Sequence, residues 1–335
     1  MLTISKKLFG TIDKEPVYLF TLSHPAGLRV SVCNYGGIIQ SILVPHSDTS
    51  LYQEIVLGYD TLDEYLSDQL SFGATIGPIA DIIKGASFVL EHNIVCWEKN
   101  AGSDCLHSGS KGFQNQLWNY SYSKNSLILS KKFPPYYYDF PSAMDVVISF
   151  SLPAPDTLQI SYATFSSGIT AINLTNHTYF RLDFAEDISN QYLKLNTDCS
   201  TPVDFQKFCQ LSSIFRSTNS EIRCCDGLDH YFPILGTGLR SMAWLYSPIS
   251  NLLLTCSSST PGILLFTGNT LGNIRGKNGE LYKKHSAICL ETECIPNAIN
   301  QEKYRNEILY SGGKNYSSVT QYRFRHLNIS NLDSL

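Results

Sequence analysis

With 335 residues, 43% of them hydrophobic and 16% charged, the chain has ample apolar content for a folded core and reads as globular rather than disordered. Twenty-five Lys and Arg against 29 Asp and Glu leave a formal net charge of -4 and no basic stripe, which argues against nucleic acid or an anionic membrane as a partner. At roughly 150 residues per domain the length allows two domains, although large all-β units run longer than that.

The first residues, MLTISKKLFGTIDKEP, turn polar before an apolar stretch can form the core of an export signal, and no later segment has the length of a membrane span. The expectation is a soluble cytoplasmic protein. Tyr35-Gly36-Gly37 marks a first turn. A short helix is predicted over Asp60 to Asp68, with Leu62, Tyr65 and Leu66 on one side and Asp60 or Thr61 as its cap. After the turn signal Pro134-Pro135, the residues Met144, Val146, Ile148, Phe150 and Leu152 alternate with Asp145, Ser149 and Ser151, as in a strand with one wet face. Pro153-x-Pro155 reads as the next turn, followed by strands over Leu158 to Phe165 and Tyr192 to Asn196. Turns at Gly236-x-Gly238 and Gly276 to Gly279 precede a last strand, where Thr320, Tyr322 and Phe324 alternate with Gln321, Arg323 and Arg325. No βαβ rhythm, fixed-period repeat or biased linker interrupts this series. The expected architecture is all-β, one large antiparallel sandwich forming a single domain over residues 1–335. Ten scattered cysteines, including the adjacent Cys224 and Cys225, show no C-x-x-C spacing and are expected to be reduced and mostly buried.

Phosphate-binding glycine loops, H-E-x-x-H, G-x-S-x-G and Walker patterns are absent, which removes nucleotide enzymes and the commonest hydrolases. What remains is His107 in CLHSGSKGF, His177 in NLTNHTYF, Asp229 and His230 in GLDHYF, and Glu291 and Glu293 in CLETE. Each alone has a structural explanation: a satisfied histidine, an Asx turn, a solvated acid near a strand end. Together they supply an imidazole near its usual pKa of roughly 6.5, able to donate a proton, and a carboxylate able to accept one. That combination suits proton transfer on a neutral polyol. A metal site is the weaker reading, since the histidines lie far apart in sequence and lack the short spacing common in zinc sites.

In order along the chain, several stretches resemble the galactose mutarotase (aldose 1-epimerase) family: Asn34-Tyr35-Gly36-Gly37, Val56-Leu57-Gly58-Tyr59, Phe72 to Gly77, Leu106-His107 with Gly112-Phe113, and Asn176 to Phe180. Asp229-His230, Thr267-Gly268-Asn269 and Cys289 to Glu293 with Pro296 and Asn300 complete the series. The resemblance implies a β-supersandwich, a sugar lying in an open cleft, and neither metal nor organic cofactor. It implies that Glu291 takes the proton of the anomeric hydroxyl while His177 protonates the ring oxygen. It further implies that His107 is a second catalytic histidine, which helps to hold the sugar and shares in the ring-oxygen step, and that Asp229 accepts hydrogen bonds from the sugar's hydroxyls.

The sequence departs from the family pattern where that pattern grips hydroxyls. Asp81 and Ile82 stand where an Asn-Arg pair is usual, and Leu264 and Phe266 stand where Gln and Tyr are common. Asp81, Ile82 and Leu264 are therefore expected to line the sugar site with altered chemistry, and Lys84 is a candidate replacement cation. Three functions follow: an aldose 1-epimerase with changed sugar preference, a hexose 6-phosphate epimerase needing a cationic subsite, and an idle sugar-binding or regulatory protein. Nothing in the sequence bears on oligomeric state.

Overall fold

The period-two stretches become long antiparallel strands. In the computed structural model, which describes residues 2–46, 51–200, 202–311 and 313–327, Met144–Ala154 pairs with Ser126–Phe133 on one side and Thr157–Ser166 on the other. The full sheet has nine strands in the order Asn119–Tyr122, Ser126–Phe133, Met144–Ala154, Thr157–Ser166, Tyr316–His326, Leu252–Ser258, Arg240–Ser247, Tyr192–Leu195 and Cys209–Gln210. Met144, Val146, Ile148 and Phe150 are buried, as are Thr320, Tyr322 and Phe324, so the alternation faces a core as expected. Pro153 falls inside its strand rather than in a turn. The pairing with the next strand slips between Ser151 and Ala154, and this irregularity accommodates an imide that cannot donate to the ladder.

A second layer covers the buried face of this sheet. It is a four-stranded antiparallel sheet in the order Tyr179–Phe180, Ile288–Glu293, Gly262–Phe266, Asp229–Pro233. Alternation along Ile288–Glu293 sends Ile288, Leu290 and Thr292 one way and Cys289, Glu291 and Glu293 the other. The first set packs on the large sheet. Thr292 Oγ1 lies 2.7 Å from Thr320 Oγ1, the Tyr322 hydroxyl donates to the Leu290 carbonyl at 3.4 Å, and the rings of Phe180 and Tyr322 are 4.9 Å apart. Each apolar side chain buried at this junction contributes about 1.5–3 kcal/mol. The whole strand is buried, which explains why the CLETE stretch reads as an apolar run carrying two acids.

A five-stranded sheet over Thr3–Ile12, Glu15–Ser23, Arg29–Cys33, Ile39–Pro45 and Tyr52–Glu54 adds to the same core. Its Tyr35-Gly36-Gly37 turn needs glycine twice over. Both glycines have positive φ, and a Cβ on Gly37 would sit 2.7 Å from Thr75 Oγ1.

The predicted helix is shorter than expected, Leu62–Leu66, and Thr61 with Glu64 forms its capping box. Leu62 and Tyr65 are buried, whereas Leu66 is 43% exposed and does not belong to the packed side. Three further helices, Leu211–Phe215, Ser220–Cys225 and Arg305–Ile308, were not anticipated, because pieces of four to six residues are too short to display a helical period. Five cysteines, Cys33, Cys105, Cys256, Cys289 and Cys294, are buried, while Cys96 and Cys224 are exposed, so burial is less general than expected. Among the described residues, no helix is long and apolar enough to cross a membrane.

Candidate active site

The outer face of the four-stranded sheet is the floor of a cleft. Strand register arranges its side chains in rows: Asp229, Phe266 and Cys289, then Tyr231, Leu264 and Glu291, then Pro233, Gly262 and Glu293. Over the first two rows lies a cavity of about 310 Å³, at the small end of the usual ligand-pocket range. Its lining includes seven of the residues singled out from the sequence, His107, His177, Glu291, Asp229, Asp81, Ile82 and Leu264, whereas His230 and Glu293 lie outside it. A neighbouring depression of about 430 Å³ shares Gln69, Ser71, Leu106 and His107 with it.

His177 sits between two short strands, Thr175–Asn176 and Tyr179–Phe180, which pair with different partners. Its backbone N–H donates to the Ala74 carbonyl at 2.8 Å, and its carbonyl accepts from Gly73 N–H at 2.9 Å. Asn176 Nδ2 donates to the Gly73 carbonyl at 2.9 Å, which fixes the same crossing point. The buried Cys289 thiol lies 3.4 Å from His177 Nδ1, leaving Nε2 to face Glu291 Oε1 at 3.5 Å. The imidazole also lies 5.0 Å from the ring of Tyr179.

His107 enters from the opposite wall. It follows the Cys105–Leu106 strand, which pairs with Ile82–Ile83, and its N–H donates to the Asp81 carbonyl at 3.0 Å. Asp81 N–H donates in turn to His107 Nδ1 at 3.2 Å, so the neutral ring carries its proton on Nε2. Asp81, His107 and Ser108 all have φ near +60°, a left-handed conformation that costs on the order of 1–3 kcal/mol per non-glycine residue and is held here by the paired strands. The rings of His107 and His177 meet edge to face at 5.3 Å.

Burial dominates the electrostatics. Glu291 is 2% exposed, and burial, then the charges of Asp81 and Asp229, raises its carboxyl well above the usual range. Burial pulls His177 down to about 4, and burial with the neighbouring His177 pulls His107 down to about 3. The expectation of an imidazole near 6.5 is therefore corrected: in this apolar setting both rings are neutral at neutral pH. Burial and the charge of Asp229 push Asp81 up to about 7, and enclosure by the cleft raises Asp229.

Two further expectations change. The acids of CLETE are not solvated strand-end groups, since Glu293 is 1% exposed and neither of its carboxylate oxygens has a hydrogen-bond partner among the described residues. Lys84 is exposed and lies outside the cavity lining. The argument from sequence spacing against a metal also fails, because folding brings ligand atoms of His107, His177 and Glu291 within 4.8 Å of one another. Gln69, Leu70, Ser71, Tyr179, Thr270 and the thiol of Cys289 went unremarked as site residues. Only Tyr179 and Cys289 carried a local signal, through their positions two residues from His177 and Glu291.

Comparison with known proteins finds a match to the Aldose 1-epimerase family over residues 18–323. The chain is 31% identical to an aldose 1-epimerase of Haemophilus influenzae, across 96% of this chain and 100% of that protein. It is 29% identical to a galactose mutarotase of Bos taurus, across 97% and 99% of the two chains. Among solved structures, an aldose epimerase homologue from C. elegans superposes with a TM-score of 0.83 at 23% identity, covering 91% of this chain and 98% of that one. A galactose 1-epimerase from Lactobacillus acidophilus gives a TM-score of 0.83 at 21% identity, covering 97% and 99%.

Proposed function

Because the chain belongs to the aldose 1-epimerase family, an isomerase family, we propose that it interconverts the α and β anomers of a free aldose, acting as one domain in the cytoplasm. The observation that carries this reading is the 3.5 Å approach of His177 Nε2 to Glu291 Oε1 on the floor of the cleft. Ring opening must remove a proton from the anomeric hydroxyl and deliver one to the ring oxygen, and both oxygens are bonded to C1. An acid and a base that serve them together have to stand close to each other.

Glu291 takes the hydroxyl proton and His177 protonates the ring oxygen, so the C1–O5 bond breaks and an aldehyde forms. Rotation about C1–C2 presents the other carbonyl face. His177 then recovers its proton from the C5 hydroxyl, Glu291 returns its own to the carbonyl oxygen, and the ring closes as the other anomer. Because burial opposes charge on either group, the pair holds one proton between them. The charges of Asp81 and Asp229 raise the proton affinity of Glu291, which strengthens it as the base that takes the hydroxyl proton. His107, with its proton on Nε2, donates to the sugar, and Asp229 and Asp81 accept from its hydroxyls. Ile82 and Leu264 offer only apolar contact. A phosphorylated hexose fits poorly, since neither Lys nor Arg is found among the described lining residues.

Magnetisation-exchange NMR between the anomers of galactose, glucose, xylose and arabinose tests the reading. Each positioned acid or base contributes roughly 10²–10⁴-fold. Glu291→Gln is expected to remove the acceleration while the protein stays folded. A variant that keeps most of its rate would dismiss Glu291 as the base, and sugar binding without acceleration in the natural protein would establish an idle binding protein instead.

A further inference from the structure

The acids of the cleft have no counter-charge. Asp81, Asp229 and Glu291 line one cavity of about 310 Å³, and among the described lining residues there is no Lys or Arg to balance them. A fourth acid, Glu293, stands one row further along the same sheet face, 1% exposed, with both oxygens lacking a partner among the described residues. Gly262 opposite it contributes no side chain, and the Tyr231 hydroxyl lies where a Cβ at Gly262 would be, 2.1 Å away. The acids interact: Asp81 is the leading charge acting on both Glu291 and Glu293, and Asp229 acts on Asp81. Such crowding is unfavourable in the empty cleft and is relieved by a ligand that brings a positive charge. Ile82, Leu264 and Phe266 add apolar wall beside these acids, which strengthens a charge pairing made there.

Resting on the anomer-exchange reading above, we propose that the preferred substrate is an aldose carrying an ammonium group, an amino sugar, whose charge is received by Asp81 and Asp229 while Glu291 and His177 act at C1. An ammonium differs from a hydroxyl by little in size, yet it offers three donors and a full charge where a hydroxyl offers one donor. Hydrogen bonds between ionised partners are roughly twice as strong as neutral ones. The same acids repel phosphorylated or carboxylated sugars. The discrimination therefore follows from the charge of the cleft rather than from its shape.

The test compares anomer exchange by NMR at pH 6.5 for galactosamine, glucosamine and 6-amino-6-deoxyglucose, for the N-acetyl forms of the first two, and for galactose and glucose. The expected result is a kcat/KM for at least one ammonium sugar about tenfold or more above its parent hexose and, for the 2-amino sugars, above the N-acetyl form. In Asp81→Asn that ratio falls toward one, and raising the salt concentration lowers it as well. Turnover of galactose or glucose at rates equal to or above every ammonium sugar would overturn the proposal and leave the anomer-exchange reading standing. Absence of acceleration for all of these sugars by a folded protein would overturn both. A tenfold preference that persists unchanged in Asp81→Asn and in Asp229→Asn would overturn the assignment of the charge to these acids.

Discussion

Glu293 is the most exacting test of the electrostatics, because it is a carboxyl with no visible compensation. It is 1% exposed, both oxygens lack partners among the described residues, and burial followed by the charges of Asp81, Glu291 and Asp229 raises it well above the usual range. The sign follows from linkage. Above about pH 4.3 the unfolded carboxyl releases its proton while the folded one keeps it, so stability falls as pH rises until the raised folded value is reached. The slope is about 1.4 kcal/mol per pH unit, which gives a loss of about 2.3 kcal/mol at pH 6 for a carboxyl that still holds its proton there. Glu293→Gln has nearly the same shape and no such proton, so the loss disappears. At about 2.1 cal/mol/K per residue, 335 residues unfold with about 0.7 kcal/mol/K, and 2.3 kcal/mol becomes about 3 °C in Tm. Thermal unfolding of both proteins at pH 4 and pH 6 should show the variant gaining about 3 °C relative to the natural protein between the two pH values. Any constant effect of the amide's extra N–H drops out of that difference. A gap that stays flat, or that moves in favour of Glu293 as pH rises, would mean that the carboxylate is ionised in the folded protein and paired with a cation, and the reasoning would fail.

Three other outcomes are expected. In Asp81→Asn, which removes the carboxyl pushed up to about 7, kcat should fall on the acid side with a midpoint near 4, where His177 gains a second proton for the pair and leaves no base; an acid limb centred near 6.5 in that variant would contradict the burial of that ring. Ile82→Arg places a guanidinium beside Asp81 and Asp229 and should lower KM for galactose by about tenfold or more, in line with about 1.5–3 kcal/mol for a charged hydrogen bond; an unchanged KM in a folded variant would show that this position does not reach the sugar. Dialysis against EDTA should leave anomer exchange unaltered, whereas loss of rate restored by added zinc would reassign His107, His177 and Glu291 as metal ligands.

The alternation of Met144 to Leu152 and of Thr320 to Phe324 determined the long strands, because a half-buried strand writes its two faces directly into residue order. The motifs around His107, His177, Asp229 and Glu291 likewise brought the right residues to notice, since each lies in a short stretch of unusual composition. Three things were decided only by the tertiary structure. Sequence order does not state which strands are neighbours. It is the pairing of Gly262–Phe266 with both Asp229–Pro233 and Ile288–Glu293 that sets Asp229, Leu264 and Glu291 on one floor. The burial of Glu293 was likewise hidden, because a carboxylate at a strand end has the same local sequence whether it meets water or a second sheet. The protonation behaviour of the histidines came last: an imidazole flanked by Asn and Thr carries no mark of its surroundings, and only burial in the folded protein moves His177 from its usual range to about 4.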